Sequence, residues 1–152
     1  MAQMWPELRV VGIDPWPPAL RLAHQNVEKA NQGARVELRE QGVETLEDEA
    51  SFDLAWLPIP FIPERAIVPG SKRVLRALRP GGWTVVALGN DAAMEPTMAT
   101  VFRLRVALCG GPVWSPGDVE RVMREAGFVD VRTLPSPPGT PVAIVVARRN
   151  PA

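Results

Sequence analysis

Strand-like and helix-like stretches alternate along nearly the whole 152-residue chain, and that order restricts the fold more than any other feature. Apolar or alternating runs predict strands at 9–13, 35–39, 52–57, 83–88, 128–134 and 142–147. Between them, apolar residues at helical spacing predict helices at 17–31, 66–78 and 94–109. A further helix opens at Ser115, where Pro116 fits the first position and Asp118 completes a capping box, and it stops at Gly127. Helical crossovers between strands give a doubly wound α/β fold with a mostly parallel sheet. No repeat or low-complexity linker divides the chain, so residues 1–152 read as one domain.

The prolines mostly punctuate. Pro17 and Pro18 suit the first turn of a helix, where missing N–H groups cost little. Pro58, Pro60 and Pro63 end the strand at 52–57, because proline donates no ladder hydrogen bond. A helix at 66–78 breaks or begins near Pro69-Gly70, and Arg79-Pro80-Gly81-Gly82 reads as a tight turn before the next strand.

Composition excludes several function classes. The charged groups balance at 17 each, which offers no electrostatic grip on nucleic acid or an anionic membrane. No stretch is long and apolar enough to span a bilayer, and the first residues do not form a signal peptide. The single cysteine, Cys109, rules out an internal disulfide and a cysteine zinc cage, and reads as a small core residue. A cytoplasmic location is expected on that cysteine usage.

The candidate chemistry begins at Asp14. It stands at the carboxyl end of the strand at 9–13, just before a helix, where an acid can grip the ribose hydroxyls of a nucleoside. Asp14 in that place can equally cap the helix, and Trp16 can either stack on a base or staple the helix entry. A ribose-binding acid has a glycine-rich partner turn about 20 residues upstream. Only thirteen residues precede Asp14, and they contain no such turn.

Three elements in order carry a resemblance: Gly12-Ile13-Asp14 ending a strand; Leu78-Arg79-Pro80-Gly81-Gly82-Trp83 between a helix and a strand; and Glu125-Ala126-Gly127-Phe128 before two closing strands. On these the chain resembles a class I S-adenosylmethionine-dependent methyltransferase, read from that family's second strand to its end. The resemblance implies a Rossmann-like sheet with an antiparallel C-terminal strand and S-adenosylmethionine as cofactor. It implies methyl transfer to a small-molecule acceptor. It places Asp14 on the ribose, Pro15 and Trp16 beside the adenine, and Gln41, Gly42 and Val43 around the adenine amino group. An aspartate is frequent in that last loop; Gln41 can still pair with adenine, while Gly42 leaves only its backbone. Leu57 and Pro58 would line the methionine arm.

Trp56-Leu57-Pro58-Ile59-Pro60-Phe61 lacks the Asn or Asp and the adjacent prolines of enzymes that methylate DNA bases or glutamine amides, which argues against those substrates. Asp91 and Glu95 lie on the expected acceptor side as base candidates, the segment 91–112 is where the family places substrate-covering insertions, and His24 lies remote on the first helix. No metal site is expected.

The resemblance also implies a domain that starts late. Residues 1–8 look like the tail of the family's first helix, so the first strand and glycine loop would be missing and the fold N-terminally incomplete. The strands at 9–13 and 52–57 would lose their common neighbour. They would then pair directly, accept a strand from a second chain through self-association, or leave the domain marginal. Two rival readings stand beside the enzyme: a non-catalytic methyltransferase-like fragment or subunit, and an NAD-dependent dehydrogenase.

Overall fold

The computed structural model describes residues 4–90, 93–137 and 139–152. In chain order it runs β1 (Val10–Asp14), α1 (Pro17–Lys29), β2 (Val36–Glu40), a 3-10 turn (Val43–Thr45), β3 (Phe52–Pro58) and a second 3-10 turn (Ile59–Phe61). It continues with α2 (Glu64–Ala77), β4 (Leu78–Gly89), α3 (Pro96–Leu108), α4 (Pro116–Ala126), β5 (Val129–Thr133) and β6 (Val142–Arg148).

The strands form two sheets. β1 and β2 pair in parallel, with Asp14 opposite Glu40. The larger sheet has the order β3-β4-β6-β5, with β3 parallel to β4 and β6 antiparallel to both its neighbours. The α/β class and the antiparallel closing strand are therefore as the sequence implies. The strands at 9–13 and 52–57 do not pair with each other; among the described residues β1 and β3 each keep one open edge.

Side chains alternate across β4. Thr84, Val86 and Leu88 are buried, while Trp83, Val85 and Ala87 on the other face are half-buried. The buried face joins Leu57 of β3 and Val145 of β6 in one cluster with Ile67 and Val74 of α2 and Val122 and Met123 of α4. Across the opposite face run Leu54 and Trp56, each more than half exposed, with Val85 and Ile144 beside them. At one end of this face the guanidinium groups of Arg132 and Arg148 stand 5.2 and 5.5 Å from the Trp83 ring centre. Packing is thus one-sided: α2 and α4 cover one face of the sheet, and the other presents apolar side chains to solvent.

Several local expectations shift. Arg79-Pro80-Gly81-Gly82 is not a separate turn but an irregularity inside β4: Leu78 pairs with Phe52, Trp83 pairs with Leu54, and the residues between bulge out. Gly81 takes φ +80° there, a conformation other residues resist. α2 is continuous through Pro69, whose exposed position keeps the ring out of the packed face. Cys109 is exposed rather than a core residue, because it caps the outer end of α3. On α3 the buried side chains are Ala99 and Val106, with Met98 and Val101 exposed. The capping box is formed: Asp118 N–H donates to the Ser115 hydroxyl, Ser115 N–H donates to the Asp118 carboxylate, and Gly127 ends α4 at φ +103°.

The first sheet is tied to the second through the segment after β2. Val43 sits in a notch on α2 at Gly70, where an added Cβ would lie 2.6 Å from a Val43 methyl. Leu46 is buried in the main core, and Arg39 of β2 donates to Asp48 at 2.8 Å. Ahead of β1, the Arg35 guanidinium donates to the carbonyls of Trp5 and Pro6 at 3.0 and 2.7 Å, and Leu8 N–H closes a turn onto Trp5. No described helix is long and apolar enough to cross a membrane.

Candidate functional site

In open α/β sheets ligands bind beyond the carboxyl ends of the parallel strands. Here those ends bring together Asp14 and Gln41 on one side, and Pro58, Gly89 and Asn90 on the other.

Asp14 closes β1 and is half-buried. One of its carboxylate oxygens accepts the Trp16 N–H at 2.8 Å, which turns the chain into α1. The sequence left capping and ligand binding as alternatives; this bond does the first with one oxygen and leaves the second oxygen free of described partners. Pro15 and Trp16 follow on the surface, and Trp16 is 64% exposed, which leaves much of its indole open to a ligand. A flat apolar ring beside a carboxylate is a combination that suits a nucleoside.

Gln41 lies directly alongside, its N–H donating to the Asp14 carbonyl at 3.2 Å. Its side-chain amide donates to the Thr45 carbonyl at 2.7 Å, which leaves its oxygen as the group open to a ligand. The Gly42 carbonyl accepts from both Thr45 N–H and the Thr45 hydroxyl. Val43 faces α2, so it anchors this loop rather than lining it. Asp14, Pro15, Trp16, Gln41 and Gly42 therefore share one rim.

Leu57 and Pro58 stand apart from that rim, at the carboxyl end of β3. The Leu57 side chain is in the main core, and Pro58 sits at the end of β3, leading into the second 3-10 turn. Glu95 caps α3: one of its carboxylate oxygens accepts the N–H groups of Thr97 and Met98, and the other is free of described partners. Asp91 lies outside the described residues. His24 is exposed on α1. Among the described residues no cluster of three or more metal-binding side chains occurs.

Two features here escaped the sequence reading. One is a cleft of about 300 Å³ beyond the ends of β3 and β4, walled by Pro60, Leu88, Phe102 and Trp114. The other is the pair of close approaches that shape it, at Gly89 and Gly111. Glycines at a strand end and in a Gly-Gly-Pro turn were the available signal. At the cleft rim, the hydroxyl and N–H of Ser115 hold the Asp118 carboxyl below the usual carboxylate range.

Comparison with known proteins fits this geometry. A family model described as a methyltransferase domain matches residues 1–82. A search of the curated proteins finds no match. Among solved structures, the apo form of the S-adenosylmethionine-dependent methyltransferase SibL shares 25% identity at a TM-score of 0.74, covering 98% of this chain and 46% of its own. An O-methyltransferase family protein from Burkholderia thailandensis superposes at 0.75 with 19% identity, over 98% of this chain and 46% of that one. The [4+2]-cyclase SpnF superposes at 0.68 with 15% identity, over 94% of this chain and 67% of that one. The chain thus spans about half the length of the first two, and the third shows that the fold also serves other chemistry. A match over 82 of the 152 residues makes this chain a member of the class I S-adenosylmethionine-dependent methyltransferases.

Proposed function

We propose that the chain serves S-adenosylmethionine-dependent methyl transfer to a small-molecule acceptor. The observation that carries this reading is the rim at the end of β1, where the Asp14 carboxylate, the exposed Trp16 indole and the Gln41 loop stand together. These residues fit the nucleoside end of the cofactor. Asp14 would accept from the ribose hydroxyls, Trp16 would cover one face of the adenine, and Gln41 and the Gly42 backbone would meet its edge.

When bound, the cofactor supplies a methyl group on a positively charged sulfur, already activated for displacement. The protein's task is then placement: to hold an acceptor in line with that methyl and keep water out. The acceptor's proton leaves to solvent or to a nearby base, and Glu95 caps α3 with one carboxylate oxygen.

Calorimetric titration with S-adenosylhomocysteine tests the reading. Binding is expected in the wild type, and Asp14→Ala is expected to weaken it at least tenfold, since charge-assisted hydrogen bonds contribute about 1.5–3 kcal/mol each. Absent or millimolar binding would favour the non-catalytic fragment, and heat released only with NAD would favour the dehydrogenase.

Self-association belongs to the same reading. The open edges of β1 and β3 and the bare apolar face bearing Leu54 and Trp56 are surfaces that a folded chain covers. Sedimentation velocity is expected to show concentration-dependent association that Trp56→Glu reduces. A wild-type monomer across the whole concentration range would refute it.

A further inference from the structure

Two clefts open beside α3 and share the ring of Phe102 as a wall. The inner one is the cleft of about 300 Å³ between Pro60, Leu88 and Trp114. The outer one encloses about 370 Å³ between Met94, Met98 and Pro141. Each falls within the volume range of small-molecule sites, and both are mostly apolar.

The inner walls are fixed by close backbone approaches. A Cβ at Gly89 would stand 2.2 Å from Phe102, so the ring lies against the end of β4 only because residue 89 lacks a side chain. At Gly111 a Cβ would stand 2.1 Å from the Pro60 carbonyl oxygen, so the turn carrying Val113 and Trp114 is pressed onto the end of β3. Gly110 holds that turn further by accepting the Glu64 N–H at 2.9 Å. The cleft is therefore formed before any ligand arrives.

Among the described residues the outer cleft carries one acid and one base. Glu95 accepts the Thr97 and Met98 N–H groups through one carboxylate oxygen at the start of α3, while the Arg105 guanidinium has no partner among the described residues. A polyol or a free amino acid would leave many polar groups unpaired against these walls. A planar ring system would gain contact with Phe102, Trp114 and Pro60, and an acidic substituent would meet Arg105.

We propose that the two clefts seat a flat aromatic anion, with its rings in the inner cleft and its acidic group toward Arg105. Its role as methyl acceptor rests on the methyltransferase reading above; its binding does not.

Fluorescence titration with 8-anilinonaphthalene-1-sulfonate and its neutral analogue N-phenyl-1-naphthylamine tests this. The variants are Val113→Trp, Arg105→Gln and Leu54→Lys, with S-adenosylhomocysteine titrated into each in parallel. Val113 is an exposed wall residue, so an indole there fills the inner cleft without disturbing the core. Val113→Trp is expected to weaken both dyes at least tenfold. Arg105→Gln is expected to weaken the sulfonate about fivefold at low salt and leave the neutral dye unchanged. Leu54→Lys, on the bare sheet face, is expected to change neither. Failure of the wild type to bind, equal binding by all variants, or loss confined to Leu54→Lys overturns the proposal. If the dyes follow the expected pattern while S-adenosylhomocysteine does not bind, the cleft stands and the methyltransferase reading falls. If S-adenosylhomocysteine binds and the dyes show no cleft dependence, the aromatic-anion proposal falls alone.

Discussion

Leu78→Ala is expected to lower the unfolding free energy by about 3 kcal/mol, within the range for emptying a packed leucine site. Leu78 is fully buried, ends α2 as its C-cap and opens β4 opposite Phe52. Its side chain belongs to the single cluster that α2, α4 and the sheet share. Domains are typically stable by about 5–15 kcal/mol, so a loss of this size removes a large share. Urea unfolding monitored by circular dichroism measures it, with Leu78→Met as the conservative control expected to cost less than about 1.5 kcal/mol. A loss below about 1 kcal/mol for the alanine variant would mean that the junction of α2 and β4 is not packed as described.

Gly111→Ala is expected to be nearly as severe, at about 2–3 kcal/mol, for the opposite reason. The new methyl would meet the Pro60 carbonyl oxygen at 2.1 Å and its carbon at 2.7 Å. Backbone atoms cannot rotate away, so the turn at 110–114 has to lift off the second 3-10 turn. The inner cleft would lose its Trp114 wall, and dye binding should fall together with stability. Gly110→Ala is the informative contrast. Gly110 takes φ +69°, but the nearest atom to its added Cβ is 4.0 Å away. Backbone strain alone predicts a cost of about 1–2 kcal/mol there, with the cleft retained. Equal losses at both positions would show that strain, not the Pro60 contact, governs this turn.

The features legible in the sequence were those that local chemistry decides. Asp14 closing a strand, prolines opening α1, the Ser115–Asp118 box and the Gly127 stop all depend on neighbours within a few residues. The features that escaped depend on partners distant in the chain. Residues 79–82 read as a turn until Phe52 and Leu54 pair on either side of them. Cys109 reads as a core residue until α3 is seen to bury only a narrow side. At the candidate site, Asp14 and Gln41 could be placed by strand order, because parallel strands put their carboxyl ends together. The burial of the Leu57 side chain could not, since alternation along β3 does not say which face carries the helices.

The seat of Val43 at Gly70 divides the molecule unequally. Of α1 only Leu20 is buried, and every residue of β1 is half-exposed, whereas β4 and β6 run through the main cluster. The β1–α1–β2 unit is thus a separate, weaker cooperative unit, able to open while the rest stays folded. Asp14 and Gln41 lie on that weaker unit. A nucleoside held there binds the closed form alone, so by mass action it suppresses this opening and slows amide exchange in β1 and β2 before it affects global unfolding.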